Sequence, residues 1–260
     1  MKIGIVTAQY EEVERLVEPI EHKEVVEACG RVFYTFDHAG NEVVAVFSHW
    51  GKVAAAVTVS LLLERFKPDF VVSVGLGSAV VPELNIGDIV VAQRLFQHDM
   101  DMRPLFRRYE IPLSGATSYA TQEHDQRLAA NAVHNLLKQA KDLRWQLLGY
   151  GIAVPKLQLG DIACGDLLIT GAARKAAINR NLPSVLCADM ESGAMAQVCV
   201  DFHVPFVFVR IVSDAADETA NNEQAECFKT DFSAKYNVAV LQSILSLLAD
   251  KADQFPKPNN

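Results

Sequence analysis

The chain has 260 residues, half of them hydrophobic and 22% charged, which excludes a disordered or low-complexity polymer and leaves ample apolar surface for a core. Its 24 Lys plus Arg stand against 32 Asp plus Glu, a formal charge of -8, so a nucleic-acid partner is not expected. No apolar run reaches the roughly 18 residues of a membrane span. The five cysteines form no CxxC pair and no His/Cys cluster, and the start, Met1–Val6, is too short in apolar length for a secretory signal. A cytoplasmic protein with free thiols, no metal and no cofactor is the expectation.

In chain order, Lys2–Thr7 reads as a strand, and Val13, Leu16, Val17 and Ile20 then fall at helical spacing. Val25–Cys29, Val32–Asp37 and Glu42–Ser48 read as antiparallel strands, with Ala39-Gly40-Asn41 as a turn. Gly51–Phe66 is a helix stopped by Lys67-Pro68, and Asp69–Gly75 is a continuous apolar run, as for a strand covered on both faces. Gly87–Gln97 is another strand. Residues 98–121 are irregular, a length that in a compact domain marks a functional loop. Glu123–Lys138 is an amphipathic helix. Strands are expected near Trp145–Val154 and at Leu159–Cys164, a helix at Ala172–Asn181, a strand at Val185–Ala188, a helix at Ser192–Phe202 and an inner strand at Phe206–Val212. Phe228–Leu248 is a closing helix. The whole predicts one α/β domain over residues 1–250, a mixed central sheet flanked by helices, and a loose tail over 251–260.

Ligands of open α/β sheets gather outside the carboxyl ends of strands, so polar residues just after apolar strands carry the candidate chemistry. Glu12, early in the first helix, reads either as a surface carboxylate offsetting the helix dipole or as a site group. Gly75-Leu76-Gly77-Ser78 reads either as a turn or as backbone open to a ligand; it lacks the third glycine of a dinucleotide loop. Asp189 reads as a helix cap with Glu191 in the first turn, or both as site groups. Asp214, ending Phe206–Asp214, either pairs with Arg210 or serves as a proton donor in a desolvated cleft. His98, Asp99 and Asp101 read as a loop hydrogen-bond network rather than a metal site. Ser213 has no GxSxG elbow around it.

In combination the segments say more. MKIGIVTAQYEEVERL, HWGKVAAA, VVSVGLGSAVVPELNIGDIVVA, ADMESGAMAQVC and PFVFVRIVSDAAD, in this order, resemble the purine nucleoside phosphorylase/uridine phosphorylase superfamily. Within it they most resemble the 5′-methylthioadenosine/S-adenosylhomocysteine nucleosidases, over Met1 to about Leu248. The resemblance implies a single α/β domain, a homodimer, and hydrolysis of the N-glycosidic bond of a thioether nucleoside. Asp214 then matches the acid that protonates the leaving adenine at N7, oriented by Ser213. Glu191 matches the carboxylate gripping the ribose hydroxyls, with Met190 packed on the sugar. Glu12 matches the carboxylate that positions and deprotonates water, and Arg210 an arginine beside this acidic set. Ile169 and Leu168 match the base pocket, where Leu168 stands in place of an aromatic residue; Leu76 stands in place of a polar residue near the sugar, and Trp50 in place of a smaller aliphatic one. Met100, Met102, Leu105 and Phe106 match a loop that covers the thioalkyl group across the dimer interface, or are interface packing.

Two other functions compete. A phosphorylase needs a phosphate pocket, and after the first strand this chain offers Thr7-Ala8-Gln9-Tyr10-Glu11-Glu12, whose carboxylates oppose a dianion. A catalytically inactive nucleoside sensor on the same fold is the other, prompted by Leu76 and Leu168.

Overall fold

A computed structural model describes residues 1–152, 154–216 and 226–249. The tail expected over 251–260 lies outside them. Ten strands and seven helices are used below: β1 (Lys2–Thr7), α1 (Tyr10–Val17), β2 (Glu24–Ala28), β3 (Arg31–His38), β4 (Asn41–Phe47), α2 (Lys52–Phe66), β5 (Phe70–Ala79), β6 (Ile89–Gln97), β7 (Tyr119–Ala120), α3 (Glu123–Gln139), α4 (Lys141–Gly149), β8 (Leu157–Cys164), α5 (Ala172–Asn181), β9 (Val185–Asp189), α6 (Ser192–Asp201), β10 (Phe206–Asp214) and α7 (Ser233–Ala249). No helix among the described residues is long and apolar enough to cross a membrane.

The sheet is mixed. β5 lies parallel to β1 and β10 and antiparallel to β9; β10 also pairs antiparallel with β6, and β6, β8 and β9 run parallel. Strands β5, β10, β6, β8 and β9 therefore close a ring, and β1, β4, β3 and β2 extend from it as a twisted wing. Closure removes the free edges of the inner strands, and the near-continuous apolar runs of β1, β5 and β10 follow from burial on both faces. On one face, α1, α3 and α7 bury Val13, Leu128, Val133 and Leu241 against Ile3, Val72, Val91 and Val209. On the other, α2 and α6 bury Val59, Leu62, Met195 and Cys199 against Val44, Val71 and Phe208.

The sequence expectations differ from the fold at three places. Residues 145–149, expected as strand, belong to α4: Leu143 and Leu147 are buried four residues apart while Trp145 and Leu148 face outward, a helical stripe hidden by aromatic and apolar content. Gly75–Ala79, expected to leave the sheet, continue β5, so their backbone pairs with β10 and β9 rather than opening to a ligand. Phe228–Phe232 forms a π-helical turn before α7. At Ala39-Gly40 both φ angles are positive (50° and 80°), the backbone a two-residue hairpin between twisted strands requires.

Candidate active site

Of the sequence-selected polar residues, Asp189, Glu191 and Glu12 gather about Arg210. Its side chain is wholly buried, donating from Nε to Asp189 Oδ2 at 2.6 Å, and from Nη1 to Ser73 Oγ at 3.2 Å and to its neighbour's carbonyl. Nη2 finds no partner among the described residues. Gly77 is closely enclosed here: a Cβ would sit 3.3 Å from Arg210 Cβ and 3.4 Å from both Ala188 O and Cys187 Sγ. Asp189 Oδ1 meanwhile accepts the Ser192 hydroxyl at 2.8 Å and the backbone N–H groups of Glu191 and Ser192. Asp189, two residues before the N-cap Glu191, thus ties the start of α6 to the arginine, and the pairing of Asp214 with Arg210 anticipated as one option does not form.

Glu12 is not the surface carboxylate of the simpler reading. It is 1% exposed at the third position of α1, where its Oε2 accepts the Gln9 N–H at 3.2 Å in a capping box. Its Oε1 accepts from Asn237 Nδ2 on α7. Burial outweighs these bonds and the nearby Arg210 charge, and pushes the carboxyl up to about 8. Glu191, at the N-cap of α6, is also buried, and burial together with neighbouring Asp189 pushes it up to about 7. Its Oε1 accepts the Gly51 N–H at 2.9 Å. Gly51 can present that N–H because its φ of +88° is open to glycine. The loop after β4 is also tied to β1, since Trp50 Nε1 donates to Ala8 O at 2.7 Å while 73% of the residue stays exposed.

Asp214 reaches its position through a β-bulge. Val212 pairs with Gly77 and Asp214 with Ser78, leaving Ser213 as the extra residue. Regular alternation would keep Asp214 on the face of Arg210 and Val212; the bulge turns it to the face of Ser78. Asp214 Oδ1 accepts the hydroxyls of Ser78 and Ser213, each at 2.8 Å, and Oδ2 accepts from Lys175 Nζ at 2.5 Å. Lys175, 2% exposed, also donates to Ala215 O.

Among the apolar candidates, Met190 is half-buried, Ile169 is buried and Leu168 is 66% exposed beside it. Leu76 packs, half-buried, against the core under α1 and α7. Asp99, in the irregular loop, accepts from Lys52 Nζ at 2.7 Å and from the Asp166 N–H at 3.0 Å. A separate cavity of about 370 Å³, lined by Arg94, Thr121, Gln126, Asp161 and Ser184 among others, includes none of these residues.

Residues 2–249 match the family model of the phosphorylase superfamily. A curated 5′-methylthioadenosine/S-adenosylhomocysteine nucleosidase of Geobacillus thermodenitrificans is 33% identical over 98% of this chain and 100% of its own length. The chain belongs to this nucleosidase family of the phosphorylase superfamily. Among solved structures, the nucleosidase of Colwellia psychrerythraea in complex with adenine superposes with a TM-score of 0.82 at 27% identity, covering 95% of this chain and 96% of that one. The futalosine hydrolase of Helicobacter pylori superposes with a TM-score of 0.78 at 28% identity, covering 94% and 97%.

Among the side chains that hold the site carboxylates, sequence reasoning did not assign Lys175, Asn237 or the hydroxyl of Ser78. Lys175 had one signal, its place three residues before Ile178, the other buried residue of α5. Asn237 had a second: an amide inside the apolar stripe Tyr236, Val240, Leu241, Ile244. Ser78 had none, because its role depends on the bulge.

Proposed function

We propose that this chain hydrolyses the N-glycosidic bond of 5′-methylthioadenosine, S-adenosylhomocysteine or both, releasing adenine and the thioribose product. The observation that carries this reading is the gathering of Glu12, Asp189 and Glu191 about one buried arginine, Arg210, with Asp214 held at the end of the same strand. Adenine is a poor anionic leaving group, so a proton must reach it as the bond breaks; Asp214 delivers that proton to N7. Positive charge then grows on the ribose, and Glu191, bound to the ribose hydroxyls with Met190 against the sugar, stabilises that cation more than the neutral substrate. Glu12 takes the proton of the attacking water, and Arg210 orients the acidic set. Ser213 fixes Asp214. Trp50 and Leu76 flank the sugar side, and Ile169 and Leu168 the base.

Water is the nucleophile in this reading because the end of β1 presents Glu12, which opposes a phosphate dianion. The deciding experiment gives the purified protein methylthioadenosine in phosphate-free buffer and follows free adenine. Release without phosphate is expected. Adenine appearing only on addition of phosphate makes the protein a phosphorylase, and binding without turnover makes it a nucleoside sensor.

The same reading places the enzyme in the salvage of the methylthio group of methionine, in the cytoplasm, as a homodimer. Five free cysteines suit a reducing compartment. Exposed Val53 and Val57 on α2, with Met102 and Leu105 in the irregular loop, supply apolar surface for a second copy; light scattering at twice the chain mass is the expected result.

A further inference from the structure

Helix α5 is mostly solvent-facing, yet it buries one cation. Lys175 and Ile178 are its two buried residues, and Lys175 is 2% exposed. Enclosing an ammonium is unfavourable unless it is paired and hydrogen-bonded, and this one lies in the first turn, where the helix dipole opposes a cation. Its bonds run to Asp214 Oδ2 and to the Ala215 carbonyl. Asp214 Oδ1 is already occupied by the hydroxyls of Ser78 and Ser213. Among the described residues every hydrogen-bond partner of the carboxylate is a donor aimed at it, and the ammonium is the one cationic donor. Among the described residues Cys187 on β9 also acts on Asp214, while Arg210, further back along β10, pairs with Asp189. Burial pushes the Cys187 thiol up, which keeps it protonated, and the arginine is matched by its own carboxylate.

We propose that Lys175 is a positioning residue for departure of the base: it holds Asp214 by Oδ2 and replenishes, through Asp214, the proton that the purine takes. This rests on the reading of Asp214 as the acid. As the C1′–N9 bond breaks, its electron pair stays with the purine and N7 takes a proton from the Asp214 carboxyl. The Lys175 Nζ–H bond supplies that proton and Lys175 is left as a neutral amine. Water adds its oxygen to C1′ and gives a proton to Glu12. Return of one proton from Glu12 to Lys175 through solvent restores both groups and balances the hydrolysis.

The test compares two leaving groups in four proteins: the unaltered enzyme, Lys175→Met, Lys175→Arg and Asp214→Asn. Methylthioadenosine needs a proton on its base, whereas the p-nitrophenyl glycoside of 5-methylthioribose leaves as a stable anion. Lys175→Met is expected to lower kcat for methylthioadenosine by about 10²–10⁴-fold, the range of general acid catalysis, with KM little changed. The nitrophenyl glycoside should be turned over at close to the unaltered rate, which also shows that the variant is folded and its sugar site intact. Lys175→Arg keeps the charge but holds its proton, so it should fail on methylthioadenosine as Lys175→Met does. Full activity of Lys175→Arg would overturn the proposal, because charge alone would then suffice. Equal loss on both substrates would overturn it in favour of a purely structural lysine. If Asp214→Asn left methylthioadenosine turnover intact, the acid itself would be misassigned, a failure distinct from either lysine result.

Discussion

At the α1 end of the site, Glu12 accepts from one backbone amide and one side-chain amide, and burial carries its carboxyl up to about 8. At the β10 end, Asp214 accepts from two hydroxyls and an ammonium. Glu12 lies in the first turn of the helix that follows β1 and Asp214 ends β10, and their surroundings set them apart. A base needs a group that gains by taking a proton, which an enclosed, sparsely bonded carboxylate does. An acid that must work repeatedly needs a supply, which is the part proposed above for Lys175 in the donor-rich corner. Asp214 thus takes its charged partner from α5, Lys175, and not from Arg210, the pairing that the sequence offered.

The largest effect that would break this comparison comes from Asp214→Asn. An amide retains the shape and the Ser78 and Ser213 contacts but cannot pass on a proton. Adenine release should fall by about 10²–10⁴-fold, measured as single-turnover kcat with methylthioadenosine. A loss below tenfold would mean that the two corners do not divide acid from base.

Glu12→Gln sharpens the other half, because activity and stability should move in opposite directions. Adenine release should fall by a similar factor, since the amide cannot accept a proton from water. The linkage sign follows from the raised value. Between 4.5 and about 8 the unfolded chain releases the proton that folded Glu12 keeps. Stability from this group is therefore full below about 4.5 and is lost as pH rises through 8. Each pH unit that separates the two states is worth about 1.4 kcal/mol. Glu191, raised to about 7, adds a slope of the same sign over a shorter range. Urea unfolding at pH 5 and pH 8 should show the Glu12→Gln protein gaining on the unaltered one only at the higher pH. A constant difference across that range would exclude an enclosed neutral Glu12.

Asn237→Leu is a milder probe of the same corner. Its Nδ2 favours the ionised form of Glu12, and a hydrogen bond to a charged group is worth about 1.5–3 kcal/mol. Removing it should move the rising limb of kcat/KM, which reports the free enzyme and is expected near 8 if Glu12 is the base, upward by roughly 1–2 pH units. The plateau at high pH should survive, and its disappearance would mean that Asn237 acts on the fold rather than on Glu12.

How far these residues could be read in advance depended on where their partners lay. Val13 and Leu16 declare α1 through spacing within one helix, and the covered strands β5 and β10 declare themselves by unbroken apolar runs. Glu12, Glu191 and Asp214 were legible because each closes such a strand or opens the helix after it. Lys175 and Asn237 were not, since each takes its role from a carboxylate far away in sequence: Lys175 from Asp214, 39 residues on, and Asn237 from Glu12, 225 residues back. The bulge at Ser213 was equally hidden, because the extra residue shows only against the register of β5. Helix α4 was misread for the opposite reason: Trp145, Leu147 and Leu148 look like strand until Leu143 is seen to pair with Leu147 on one buried face.

The smallest effect concerns the apolar residues assigned to the base in the proposed function. Leu168 follows β8 with 66% of its surface exposed, beside buried Ile169, and in this reading it faces the purine without an aromatic ring to stack on it. Leu168→Phe adds a face-to-face contact worth about 0.5–1.5 kcal/mol. The gain applies equally to bound substrate and transition state, so it should lower KM for methylthioadenosine by roughly 2–10-fold and leave kcat unchanged. Because the base alone is concerned, the nitrophenyl glycoside of the same sugar should show a smaller gain. An unchanged KM would place Leu168 away from the base and leave that contact to Ile169 alone.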